Sequence, residues 1–235
     1  MRRNRIFLLF LSLSLLLTAC GQAAAVSAPV ATEEALPFLE TLTFVGDSTT
    51  AHMASRAKVL PTQVWATRSR YLNLGPRVTE ERIVLPETGE ELTIAAAAAK
   101  VKPKRLVVTL GIDYGVYYYR NEPEKFALCY EKLLDAIDEA SPQTTLILQS
   151  IFPVGRKSAV ITNDMVDAAN RTVAEIAARR GLFYLDTNTA LKDSEGYLAP
   201  AYCSSADGIH LTAAAYEIVL SHLQESELSI REIEK

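Results

Sequence analysis

The stretch Leu42-Thr43-Phe44-Val45-Gly46-Asp47-Ser48-Thr49-Thr50 joins a strand pattern to a helix pattern across one glycine. Its first four residues are rich in β-branched and aromatic side chains, which is typical of a short buried strand. Gly46 permits a sharp turn that side chains would obstruct, and the four polar residues after it are of the types that begin helices. This order predicts that the Ser48 hydroxyl lies at the carboxyl edge of a sheet, where open α/β sheets bind ligands. Ser48 is therefore a candidate nucleophile, although Gly-Asp-Ser-Thr is also ordinary loop and cap sequence.

Strand and helix patterns alternate along the rest of the chain. The segment 105–110 is mostly apolar without alternation, as in parallel strands that are covered on both faces, and 145–150 is the next strand pattern. From 126 to 137, apolar residues recur at helical spacing on one face. We therefore predict a three-layer α/β/α fold with a central parallel sheet. The predicted strands are 42–45, 63–66, 105–110, 145–150 and 182–185, with a hairpin at 82–85 and 91–94, and helices from 48 to about 57, at 95–99, 123–141 and 163–180, and from 212.

The N-terminus has the pattern of an export signal. Three arginines precede a charge-free run from 6 to 17, which is too short to span a bilayer and fits the apolar part of a signal peptide. The following Leu-Thr-Ala-Cys-Gly at 17–21 resembles the lipobox of bacterial lipoproteins, in which the cysteine carries a lipid. We expect a signal peptide at 1–19, a lipidated Cys20 with a flexible tether at 20–38, and the α/β domain at 39–235. The alternative is a simple signal peptide with Cys20 incidental. A lipidated Cys20 anchors the protein at the extracytoplasmic face of a membrane.

Net charge and the distribution of cysteine and histidine indicate which partners and cofactors to expect. Loss of the three signal arginines changes the net charge from −4 to −7, which disfavours nucleic acid as a partner. The sequence has no CxxC motif and no histidine-rich cluster, so we predict no metal and no cofactor. Cys129 and Cys203 allow either a disulfide, as in exported proteins, or ordinary buried thiols, and both alternatives stay open.

A second candidate motif is Asp207-Gly208-Ile209-His210, in the loop before the last predicted helix. Gly208 permits a turn that folds Asp207 back onto one imidazole nitrogen of His210. A carboxylate in this position fixes the tautomer of the histidine, which can then take a proton from a serine. The alternative is an Asx-type turn that caps the helix and leaves His210 at the surface.

Three short blocks occur in a fixed order: Gly46-Asp47-Ser48, a Gly111-Ile112-Asp113 loop after a central strand, and Asp207-x-x-His210. This order resembles the SGNH/GDSL hydrolase superfamily across residues 42–224, and three further segments resemble its bacterial secreted or lipid-anchored members. The resemblance implies a flavodoxin-like fold, with Ser48 as nucleophile, His210 as general base and Asp207 as its orienting partner. It also implies an oxyanion hole formed by the Ser48 N–H, a backbone N–H from the loop after the second strand, and an asparagine side chain in the third block.

Two candidate oxyanion-hole positions depart from the family pattern. Asp113 replaces the usual asparagine, and an ionised carboxylate only accepts hydrogen bonds. Loss of one oxyanion donor costs about 2.7–4 kcal/mol of transition-state stabilisation, whereas a protonated Asp113 can donate. In the second block, 66–71, the family glycine is absent and Arg70 is the candidate backbone donor.

The predicted function is an extracytoplasmic serine esterase that removes acyl groups, acetyl above all, from a glycan or another small-molecule ester. The alternative is a glycan-binding or scaffolding lipoprotein of the same fold with weakened catalysis. Acyl transfer to a sugar uses the same residues. His52, one helical turn after Ser48, is a second candidate base or a packing residue, and Tyr117, Tyr118 and Tyr119 either stack on sugar rings or serve the fold.

Overall fold

The computed structural model describes residues 37–204 and 206–234. The predicted signal peptide, Cys20 and the tether as far as residue 36 lie outside the described residues. Of the predicted tether, Pro37 and Phe38 are described, and Phe38 is buried. No helix in the described ranges has the length and apolar character needed to span a bilayer.

The described chain alternates strands and helices as the sequence predicts. In order, the elements are β1 (Leu42–Gly46), α1 (Ser48–Ala51), α2 (Met53–Arg56), β2 (Val64–Trp65), β3 (Arg82–Val84), β4 (Glu91–Thr93), α3 (Ile94–Val101), β5 (Arg105–Thr109), α4 (Pro123–Ala140), β6 (Thr145–Gln149), α5 (Asn163–Arg180), β7 (Phe183–Leu185), α6 (Asn188–Leu191), α7 (Ala213–Glu225) and α8 (Glu227–Glu232). The predicted first helix is interrupted at His52, where the Ser55 N–H bonds to the His52 carbonyl in a tighter turn.

The central sheet has the strand order β2-β1-β5-β6-β7, with every neighbouring pair parallel. Strands β3 and β4 form a separate antiparallel hairpin. Successive residues of the central strands face opposite layers, as the strand period requires. Val108 packs into the cluster with α3, α4 and α5, while Val107 packs into the cluster with α7. The predicted three-layer α/β/α fold with a central parallel sheet is therefore confirmed.

The amino edge of the sheet is fastened by a buried cation. Arg105, at the start of β5, is fully buried; its Nε donates to Glu234 Oε1 at 2.7 Å, and it also donates to Thr41. Its guanidinium lies 4.8 Å from the ring centroid of Phe38. Burial alone raises the pKa of Glu234, but the hydrogen bond and charge of Arg105 outweigh burial and lower that pKa below its usual value. Arg105 thus joins the first and last described segments on the edge opposite the candidate site.

Candidate active site

Strand register places two loops side by side at the carboxyl edge of the sheet. Gly46 at the end of β1 pairs with Thr109 at the end of β5, so the loops after both strands begin at the same level. A Cβ atom on residue 46 would lie 2.0 Å from the Thr109 carbonyl oxygen and 2.3 Å from Thr50 Oγ1. Gly46 has no positive φ angle, so its role is this close approach. This confirms the expectation that a side chain at position 46 would obstruct the turn.

Two carboxylates connect these loops reciprocally. Asp47, after β1, accepts through Oδ2 from the N–H groups of Gly111 at 3.0 Å and Ile112 at 2.9 Å. Asp113, after β5, accepts through Oδ2 from the Ser48 N–H at 2.8 Å and through Oδ1 from the Ser48 hydroxyl at 2.6 Å. Each loop therefore supplies the carboxylate that satisfies the donors of the other, and the Ser48 hydroxyl is hydrogen-bonded to Asp113.

Asp47 is almost completely enclosed, with 1 % of its surface exposed. Burial, followed by the negative charge of Asp113, raises the pKa of Asp47 to about 7. Hydrogen bonds from Thr49, at 2.7 Å from its hydroxyl, and from the Gly111 and Ile112 backbone oppose this rise. The carboxyl group of Asp47 serves mainly to hold the β5 loop in place.

Asp113 is partly buried beside Ser48. Burial raises its pKa, while the two hydrogen bonds from Ser48, the Leu72 backbone N–H and the positive charge of a protonated His210 favour its ionised form. Two carboxyl groups with raised pKa values therefore lie close together, and each disfavours ionisation of the other. In an enzyme, this kind of environment brings a carboxylate into the range useful for proton transfer.

The loop after β2 approaches Asp113 from the other side. Arg70 adopts a left-handed conformation with φ of 60°, the conformation that glycine favours in this region of φ/ψ space. Its N–H donates to the Thr67 carbonyl at 3.0 Å within a turn. The donor directed at Asp113 is the Leu72 N–H, and the Tyr71 hydroxyl donates to the Asp113 carbonyl at 2.6 Å. The turn occupies the Arg70 N–H, and the assignment of Arg70 as a backbone donor to the oxyanion stays a prediction.

Asp207 and His210 are hydrogen-bonded, with 3.0 Å between Asp207 Oδ2 and His210 Nδ1. The other carboxylate oxygen of Asp207 accepts from the Ile209 N–H at 2.8 Å, so the same side chain forms an Asx turn and orients the imidazole. The cap of α7 is Thr212, which accepts from the Ala215 N–H. Asp207 therefore forms the Asx-type turn and also orients His210, but it does not cap the last helix.

A neighbouring loop fixes the turn at Gly208. Gly208 has φ of 77°, and a Cβ there would lie 2.8 Å from the Ser158 nitrogen. The Gly155 N–H donates to the Gly208 carbonyl at 2.7 Å. The 155–158 loop therefore positions the Asp207–His210 pair, a contribution that the sequence analysis missed because nothing in the local sequence indicates it.

His52 packs against His210 with ring centroids 4.5 Å apart and planes tilted by 49°. Burial, then the positive charge of a protonated His210, lowers the pKa of His52 to about 4, so His52 is neutral near pH 7. Its Nδ1 is buried and has no hydrogen-bond partner among the described residues. A neutral, partly buried ring packed on His210 fits the packing alternative for His52 better than the alternative of a second base.

The tyrosine run divides into two parts. Tyr118 is 56 % exposed and stacks on Tyr114 with centroids 4.1 Å apart, and Tyr117 is 37 % exposed. Tyr119 points inward, with its hydroxyl 3.6 Å from Cys129 Sγ. Cys129 and Cys203 are not bonded to each other, which resolves the open question of a disulfide between them.

An open groove of about 1280 Å³ lies between the loop after β2, the β3–β4 hairpin and Tyr114. Its charged side chains balance, with three arginines and three glutamates: Arg68, Arg77, Arg82, Glu80, Glu81 and Glu91. Two of these arginines are paired with glutamates inside the lining. In the parts of the chain that the structure describes, no three His, Cys, Asp or Glu side chains gather as a metal site requires.

Comparison with known proteins gives one family and a set of similar folds. The model of the GDSL-like lipase/acylhydrolase family matches residues 44–218. A protein from Bacteroides fragilis assigned as an acylhydrolase is 14% identical, with a TM-score of 0.53 over 80% of this chain and 87% of that one. A Streptococcus pneumoniae protein described as a platelet activating factor is 16% identical, with a TM-score of 0.51 over 79% and 82% of the two chains. No curated protein sequence matches this one.

Proposed function

The chain belongs to the GDSL-like lipase/acylhydrolase family, as its three blocks predict, and we propose that it is an extracytoplasmic serine esterase. Its substrates are esters, acetyl esters above all, on a carbohydrate or another small molecule. The observation that carries this proposal is the convergence of Ser48 with the hydrogen-bonded Asp207–His210 pair at one sheet edge. There the charge of His210 acts on Asp113, which itself contacts Ser48.

Each of these residues has its own chemical role in the proposed reaction. Ser48 attacks the ester carbonyl and forms an acyl-enzyme, which water then hydrolyses. His210, oriented by Asp207, moves protons to the leaving alcohol and from the attacking water. The Ser48 N–H is the backbone donor for the oxyanion. In the structure this N–H is bound to Asp113, so the substrate carbonyl oxygen has to displace a carboxylate oxygen when it enters.

The groove beside the site supports a carbohydrate substrate. Its charges balance, which suits a neutral ligand better than an acidic or basic polymer. Tyr118, which stacks on the groove-lining Tyr114 and is half exposed, presents a flat apolar ring with a polar edge, a surface that suits a sugar ring. Tyr114, which follows Asp113 in the chain, borders the groove. A glycan bound in the groove therefore lies beside Tyr114, the residue that directly follows Asp113 in the loop that contacts Ser48.

The test is hydrolysis of an aryl acetate by the purified protein. We expect the wild type to release the phenol and Ser48→Ala to lose this activity to the background rate. Ser221→Ala, on an exposed face of α7, is the matched control and should behave as wild type. Activity that survives in Ser48→Ala contradicts the proposed mechanism.

One observation favours a second function, that of a glycan-binding or scaffolding protein. Asp113 holds both the N–H and the hydroxyl of Ser48, so a carboxyl group occupies the backbone donor that an oxyanion needs. This function predicts negligible ester turnover by the wild type and glycan binding that Ser48→Ala does not change. Turnover that depends on Ser48 excludes it as the main function.

We also propose that Cys20 carries lipid and anchors the protein at the extracytoplasmic membrane face. The support is the lipobox-like sequence at 17–21. Growth of a bacterial host with an alkyne-labelled fatty acid should label the wild type and place it in the membrane fraction. Cys20→Ser should lose both, while Cys129→Ser keeps both. Labelling that persists in Cys20→Ser refutes the anchor.

A further inference from the structure

The nucleophile of the proposed esterase already has a base in contact with it. Asp113 Oδ1 accepts the Ser48 hydroxyl at 2.6 Å, and Oδ2 accepts the Ser48 N–H at 2.8 Å. These two contacts orient the hydroxyl proton toward the carboxylate. A heavy-atom distance of this length lies within the range in which a general base takes a proton.

Building on the proposed esterase function, we propose that Asp113 accepts the proton of Ser48 during acylation and then, as a carboxylic acid, donates a hydrogen bond to the oxyanion. His210 keeps the proton transfers at the leaving alcohol and at water. Asp113 is thus a catalytic residue in place of the usual asparagine donor.

The acylation step balances in charge and atoms. The Ser48 O–H bond breaks, its proton goes to Asp113 Oδ1, and the oxygen pair forms the new bond to the carbonyl carbon. The carbonyl π pair moves onto the carbonyl oxygen. One negative charge leaves Asp113 as one appears on the oxyanion, so the repulsion expected of an ionised Asp113 is removed in the same step. The new O–H group can donate where a carboxylate cannot.

The rest of the cycle closes with the same groups. When the tetrahedral intermediate collapses, the bond to the alcohol breaks and the leaving oxygen takes a proton from His210. In deacylation, neutral His210 takes a proton from water as the hydroxide adds to the acyl carbon. On the second collapse the Ser48 oxygen takes its proton back from Asp113. The proton balance of the proposed cycle thus requires that it begins and ends with the Asp113 carboxylate and a proton on His210.

The groups around Asp113 suit it both as a carboxylate and as a neutral acid. The groups that face it are Asp47 from the loop after β1, Tyr71 from the loop after β2 and His210 from the loop before α7. Burial and the nearby Asp47 favour the neutral acid, while the Ser48 donors, the Leu72 N–H and His210 favour the carboxylate. These opposed influences leave the side chain able to take up a proton and return it.

The test follows the release of nitrophenol from 4-nitrophenyl acetate by stopped flow. The initial burst reports acylation, and the later steady-state rate reports complete turnover. The leaving group of this substrate needs no acid. We expect Asp113→Asn to slow the burst by about 100-fold or more, the usual share of a general base. The fall in burst rate at acidic pH, which reports protonation of Asp113, should disappear as well. Asp207→Asn, the matched carboxylate-to-amide control, should lower steady-state turnover more than the burst. Thermal unfolding of each variant verifies the fold.

The outcomes distinguish the inference from the function it rests on. A Ser48-dependent burst that Asp113→Asn leaves unchanged or accelerates overturns the role of Asp113 and leaves the esterase intact. A slower burst with an unchanged acid limb also overturns it, since Asp113 then acts only on the structure of the site. Nitrophenol release that is absent in the wild type, or equal in Ser48→Ala, refutes the esterase function and the inference together.

Discussion

Gly46→Ala tests whether the register between β1 and β5 sets the geometry of the site. The new Cβ would lie 2.0 Å from the Thr109 carbonyl oxygen, and Cβ contacts under 3.0 Å essentially do not occur. The obstacle is backbone, so no side-chain rotation relieves it, and the strands have to separate by about 1 Å. Overpacking in a core costs about 1–3 kcal/mol, and we expect the upper end of that range.

The same displacement moves Ser48 relative to Asp113, because the two residues lie on the loops that follow these strands. A misplacement of about 1 Å can cost about 100-fold in rate. We therefore expect Gly46→Ala to lose about 3 kcal/mol of unfolding free energy in urea titrations and about 100-fold in kcat/KM for an aryl acetate. These losses share one cause.

Gly75→Ala is the matched control for this experiment. A Cβ at Gly75 would meet the Tyr114 ring at 3.5 Å, an ordinary contact, and Gly75 has no positive φ angle. We expect its unfolding free energy and activity to stay within about 0.5 kcal/mol of wild type. If Gly46→Ala is as stable and as active as Gly75→Ala, the register argument is wrong.

Three further predictions concern the Arg105–Glu234 pair at the amino edge of the sheet, the contact between His52 and His210, and the exposed ring of Tyr118. Glu234→Gln should lower the unfolding free energy by about 3 kcal/mol at pH 7, because it leaves Arg105 buried without its counter-ion. The pKa of Glu234 is lowered in the folded state. The difference between wild type and variant should therefore shrink in urea titrations below about pH 4. His52→Phe should keep the ring contact with His210, change kcat/KM by less than about threefold and leave the pH–rate profile above pH 6 unchanged, because the pKa of His52 is about 4; a shifted profile contradicts the packing role. Tyr118→Ala should raise KM for an acetylated oligosaccharide about fivefold and leave KM for an aryl acetate unchanged; equal effects on both substrates refute sugar stacking.

Local patterns predicted most of the fold. The apolar runs of β5 and β6, the one-sided helix that became α4 and the cap signals at Thr212 and Gly181 depend on neighbours within a few residues. Predicted bounds differ from the observed ones mainly where a tertiary contact decides the end of an element. The strand predicted at 63–66, for example, keeps two residues, because Gln63 belongs to a 3-10 turn over Pro61–Gln63 and Ala66 forms an isolated bridge with Val84 of the hairpin.

The candidate residues of the site could be named from the sequence, but of their contacts only the one within the Asp207–His210 motif could be predicted. Ser48, Asp207 and His210 stand in recognisable short motifs, and Asp207 contacts His210 as its spacing indicates. The link from Asp47 to Gly111 joins residues 64 positions apart and depends on strand register. No pattern in a single sequence encodes that register directly.

The side chain at position 113 decides where the proton of Ser48 points. An asparagine there has one acceptor oxygen and one NH₂ donor. With its oxygen on the Ser48 N–H, its NH₂ would face the serine oxygen, which then accepts and must direct its own proton elsewhere. With Asp113, both side-chain oxygens accept, so the hydroxyl proton turns inward to the carboxylate at 2.6 Å. A single change from amide to carboxylate therefore reverses the hydrogen bond of the nucleophile, and the base that the family pattern assigns to Ser48 cannot simply be carried over to this chain.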